Sequence, residues 1–145
     1  MFAQLNKPHV KYFVAAALVL TLVGVFIART AFARIVTNTI DPVAIVTDKG
    51  RHLIVTGPIS CTGGERAYLR VTVTQRPTGA VAEGHTLVTC IGEANTQQWE
   101  VHASTQGDET FEAGPATAVA LARTSDRGDI TDAHQWLVDI TLVGE

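Results

Sequence analysis

"RAYLRVTVTQ", residues 66–75, decides the fold class. Ala67, Leu69, Val71 and Val73 alternate with Tyr68, Arg70, Thr72 and Thr74. A strand turns successive side chains to opposite faces, so this spacing sends one set inward and the other to water. A helix needs a repeat near 3.6 and cannot sort these residues into two faces.

The same alternation extends in both directions. "RHLIVTGPISC" (51–61) puts Leu53, Val55, Ile59 and Cys61 on one face, and "EGHTLVTCIG" (83–92) puts Val88 with Cys90. "QWEVHAS" (98–104) turns Trp99, Val101 and Ala103 inward, and "HQWLVDITLV" (134–143) does so with Trp136, Val138, Ile140 and Leu142. "ATAVALARTS" (116–125) is a near-continuous run of small apolar residues, and "PVAIVT" (42–47) adds a first strand. Turn signals separate these segments: "DKG", "TGG", "RPTG", "GD", "AGP" and "SDRGD". No helical stripe follows Ala33. About seven strands in this length is the count of an antiparallel β-sandwich. The expected fold is all-β, a single sandwich over 42–145, with 34–41 as a linker.

At the level of strand count and spacing, residues 42–143 resemble the immunoglobulin and fibronectin type III sandwiches. The resemblance implies two packed sheets and no particular activity, since such folds host unrelated functions. Trp99 follows Cys90, whereas the buried tryptophan of antibody-type domains lies between their two cysteines. The chain also looks like exported β-sandwich proteins of bacteria.

The lead segment sets the compartment. Lys7 and Lys11 precede an uncharged, mostly apolar run from Tyr12 to Ala28, and Ala31-Phe32-Ala33 fits the small-x-small pattern that signal peptidase reads. Residues 1–33 are therefore expected to form a hydrophobic helix, as a signal peptide cut after Ala33 or as a retained signal anchor. The run of 17 residues is slightly short for a span of about 20. Lysines ahead of it keep the start inside, so both readings place the remainder outside the cytoplasm. If uncut, residues 12–28 hold the chain to the membrane.

From Arg34 onward eight basic residues face fourteen acidic ones, a net charge of −6. That balance repels phosphate backbones, so nucleic acid is not an expected partner. The two cysteines, Cys61 and Cys90, form an even count in an exported domain, which implies a disulfide.

Catalytic signatures are sparse. Ser60, Ser104 and Ser125 lie in no Gly-x-Ser-x-Gly elbow, and no Gly-rich loop joins a strand to a helix. The pilin leader pattern is also missing. The pairs Glu83/His85 and Asp132/His134 are candidate metal ligands, because residues two apart on a strand share a face. His52 and His102 could join such a group. These pairs sit in an internal echo, Gly79-x-Val81-x-Glu83-Gly84-His85 and Gly128-x-Ile130-x-Asp132-Ala133-His134. Arg127-Gly128-Asp129 is a tripeptide that some adhesion receptors read, set here in a hairpin whose turn favours the same residues.

These features predict a non-enzymatic exported or membrane-tethered module, binding or structural, without a cofactor and with a protein partner at the cell surface. Alternatives are an accessory subunit of a membrane or surface assembly, and a small secreted metalloprotein or hydrolase.

Overall fold

The computed structural model describes residues 34–145. The expected N-terminal helix, with its span over 12–28, lies outside the described residues. Among the described residues no helix is long and apolar enough to cross a membrane.

Eight strands follow in order: β1 (Ile35–Asn38), β2 (Val43–Thr47), β3 (His52–Cys61), β4 (Arg66–Gln75), β5 (Ala80–Thr89), β6 (Gln97–Thr105), β7 (Gly114–Asp126) and β8 (Asp129–Gly144). The alternation of β4 is borne out: Ala67, Leu69, Val71 and Val73 have no exposed surface. Residues 34–41, read from the sequence as a linker, contain β1, which pairs with the end of β3 through Ile35↔Cys61 and Asn38↔Ile59.

The arrangement of the strands corrects the expected sandwich. Seven strands form a closed ring in the order β2-β3-β6-β5-β4-β7-β8, and β8 returns to β2. Six neighbour pairs are antiparallel, while β2 and β8 run parallel through Val43↔Thr141 to Val46↔Gly144. A ring with an odd number of strands cannot alternate direction all the way round, so one parallel seam is obligatory. Sandwich and barrel both show inward-outward alternation. They differ in whether the outermost strands find each other, and a ring removes the unpaired edges that two sheets would leave.

Small residues let the wall curve around larger ones. Ala118, Ala120 and Ala122 of β7 face inward between Val73, Val71 and Leu69 of β4 and Val138, Trp136 and His134 of β8. Alternating small and large side chains fill a narrow barrel without voids. Trp99 is 1% exposed and Trp136 half-buried against the same core, consistent with both being read as inward.

Each end of the barrel is closed differently. At one end Thr62–Glu65 crosses from β3 to β4, so that the β4–β5–β6 meander returns beside β3 as a Greek key. The Cys61–Cys90 disulfide, with Cα atoms 5.4 Å apart, staples this crossing. Two backbone bonds flank it, Gly64 N–H to Cys90 O and Cys90 N–H to Glu65 O, both 2.9 Å. At the other end the β6–β7 crossing lays Phe111 into the core at 3% exposure. Buried Gln75 grips that crossing through the Glu112 backbone, donating to its carbonyl and accepting from its N–H, each at 2.9 Å.

Candidate functional site

Polar side chains converge where β1 meets β8. Asp132 Oδ2 accepts the N–H groups of Arg34 at 3.0 Å and Ile35 at 3.1 Å, while Oδ1 accepts from Ala133 N–H at 2.9 Å. His134 Nε2 lies 3.5 Å from Asp132 Oδ2, and its Nδ1 lies 3.5 Å from the Asn38 amide nitrogen. Arg34 also pairs with Glu65 at 3.1 Å; the Glu65 side chain is only 5% exposed and accepts a second bond from Thr131 Oγ1 at 2.8 Å. Partial burial pushes the Asp132 carboxyl up, but the amides of Ile35, Ala133 and Arg34 and the neighbouring His134 outweigh it. The net effect holds Asp132 below the ordinary carboxylate range.

This cluster contains only one of the two acid–histidine pairs. Glu83 and His85 lie on β5, and β4 and β7 separate them from β8. Three strand spacings amount to about 14 Å. The two pairs also occupy opposite faces of the wall. Glu83 accepts a bond from Arg70 at 2.7 Å, which holds Glu83 below and Arg70 above their ordinary values. His85 stacks on Tyr68 with ring centroids 5.7 Å apart, and the Arg123 guanidinium lies 5.2 Å from the centroid of the same ring. Among the described residues no three His, Cys, Asp or Glu side chains gather in a metal-holding group.

His52 and His102 also stand apart from both pairs. His102 Nε2 is 2.7 Å from Glu100 on the same exposed face of β6. His52 stands directly opposite Ser104, with Nδ1 at 3.1 Å from the Ser104 hydroxyl and Nε2 at 3.5 Å from Asp48. This serine–histidine–aspartate chain has no local sequence signature, because its members come from β6, β3 and the Asp48–Gly50 turn. All three side chains are exposed.

Arg127, Gly128 and Asp129 form the exposed tip of the β7–β8 hairpin, closed by the pair Asp126↔Asp129. Arg127 and Gly128 occupy the two central positions with φ of 50° and 99°. Both values belong to the turn that matches the right-handed twist of a two-residue hairpin. Beneath the tip a recess of about 190 Å³ is lined by Tyr68, Arg123, Ser125 and Ile130, among others.

Sequence reasoning missed Arg34 and Glu65, which flank turns and strand starts without any alternation to mark them. No protein-family model matches the chain, and no curated protein matches it.

Proposed function

We propose that the chain is a non-enzymatic β-barrel module that works on the outer side of a membrane, secreted or tethered by residues 12–28. The observation that carries this reading is the Cys61–Cys90 staple across the crossing loop at the barrel end. Such bonds persist in oxidising compartments and are rare where thiols are kept reduced. The lead segment, with its lysines, apolar run and small-x-small end, agrees with it.

A binding role suits the outer wall better than the interior, which side chains fill. Leu87 and Leu137 are more than half exposed, and Tyr68, His85 and Arg123 form a stacked row. The tyrosine and arginine of that row suit a protein partner, and the net charge of −6 opposes nucleic acid.

Fusing a reporter enzyme after Glu145 tests the compartment. Activity outside the cytoplasm is expected, and activity confined to the cytoplasm would overturn the reading.

The Ser104–His52–Asp48 chain favours a second reading, a secreted hydrolase. Against it, the three side chains lie open to water, which screens the interactions among them.

A further inference from the structure

Arg34 is the first described residue, and the barrel grips it at three points. Its guanidinium meets Glu65 at 3.1 Å, its carbonyl accepts the Thr62 N–H at 3.0 Å, and its main-chain nitrogen donates to Asp132 at 3.0 Å. The residues before it, Ala31-Phe32-Ala33, end in the small residue after which signal peptidase cuts. A carboxylate thus rests on the one nitrogen that would change charge if the chain were cut there.

We infer that the chain is cut between Ala33 and Arg34 and that Asp132 is the receptor for the new N-terminus. The inference rests on the export reading. The cut consumes one water: the Ala33–Arg34 amide bond breaks, Ala33 leaves as a carboxylate, and Arg34 keeps the nitrogen as an α-amine, protonated at neutral pH. A neutral amide contact then becomes an ammonium–carboxylate contact, shorter and roughly twice as strong. The cut precedes folding, because in the closed barrel this nitrogen and the adjoining carbonyl are already engaged.

The groups that face the new ammonium are few. Asp132 approaches from β8 with His134 3.5 Å from the same carboxylate oxygen, the Arg34 guanidinium is paired with Glu65 of the β3–β4 crossing, and Cys61, opposite Ile35 on β3, is held in its disulfide. The guanidinium and Glu65 offset each other, which leaves the Asp132 carboxylate to favour the ammonium. The folded α-amine therefore titrates above its ordinary value of about 8. Its contribution to stability is complete below the unfolded value and disappears as pH rises through the folded one.

Two measurements on protein exported by its producing cells test the inference. N-terminal sequencing is expected to read Arg34-Ile35-Val36. Reductive methylation with 13C-formaldehyde then labels the α-amine, and its NMR titration is expected about one pH unit or more above the ordinary value. In Asp132→Asn the titration is expected to return to that value, and a form carrying one extra alanine before Arg34 should show no shifted α-amine. An exported protein that keeps its lead segment, or is cut elsewhere, overturns this inference and leaves export standing. A protein that stays in the cytoplasm overturns both. A folded wild-type α-amine titrating at its ordinary value also overturns the inference, whether or not the Asp132→Asn variant folds.

Discussion

Gly57 and Trp99 face each other across the β3–β6 ladder, and the indole fills the space that a side chain on residue 57 would occupy. A Cβ at Gly57 would stand 2.5 Å from Trp99 Cζ2 and collide with the Thr39 carbonyl oxygen as well. The Thr39 N–H is itself bound to Pro58 O, so that backbone cannot retreat freely. Gly57→Ala is expected to cost about 1–3 kcal/mol by overpacking, and Trp99→Ala about 3–5 kcal/mol by opening a cavity. Urea denaturation of the two variants measures both. A Gly57→Ala variant as stable as wild type would contradict the contact.

Replacing Cys61 and Cys90 together with alanine should cost about 3–4 kcal/mol in the chain-entropy model for a loop of this length. The bond closes 29 residues and holds the crossing loop to Cys90. The expected result is a lower denaturation midpoint, matched by wild type only in the presence of reductant. Two free thiols titrating in the native protein would refute the bond.

Asp132 makes stability depend on acid. Its folded carboxyl lies below the ordinary value, so the stabilisation is present above the unfolded value of about 3.9 and is lost as pH falls through the folded one. Asp132→Asn should therefore melt below wild type at pH 5 to 6, and the gap should narrow toward about pH 2 to 3. Thermal melts across that range decide it. A gap that stays constant down to pH 2 would assign the loss to packing.

The hairpin tip separates backbone need from side-chain need. Gly128 sits at φ 99° and Arg127 at φ 50°. Gly128→Ala is expected to cost about 1–2 kcal/mol, whereas Arg127→Gly should cost little or nothing. Thermal melts give the comparison. Loss of cell adhesion in a fully stable Arg127→Gly variant would instead assign the tripeptide a receptor.

Ser104 should not act as a nucleophile. A fluorophosphonate probe is expected to leave the folded protein unlabelled, with wild type and Ser104→Ala alike by intact mass. Stoichiometric labelling that disappears in Ser104→Ala would establish the hydrolase reading.

The faces of the strands were legible in the sequence. Leu53, Val55, Ile59, Trp99 and Val101 are all buried, as alternation predicts. Closure was not legible, because pairing Val43 with Thr141 joins residues 98 apart, and nothing in either strand names its partner. The small residues of β7 looked like a featureless apolar run; their purpose emerges only with Leu69 and Trp136 on either side. In the sequence Asp132 stands out only for its neighbour His134, two residues away. Its main partners are backbone groups near the start of the barrel, which no spacing rule could supply.

The parallel seam carries a consequence in time. If the chain is exported as proposed, with its start held on the inner side, β2 emerges about 100 residues before the stretch 141–144 that completes its ladder. At roughly 5–20 residues per second, the synthesis rate that would pace this delivery, that interval lasts about 5 to 20 seconds. Hairpins form in microseconds, so β2 and β3 are ready long before β8 arrives. Throughout that wait β2 offers an unfilled strand edge, and β8 from a neighbouring copy can occupy it as well as the chain's own. Exchange of β8 between copies should therefore rise with the density of export, and slow, sparse delivery favours rings closed by a single chain.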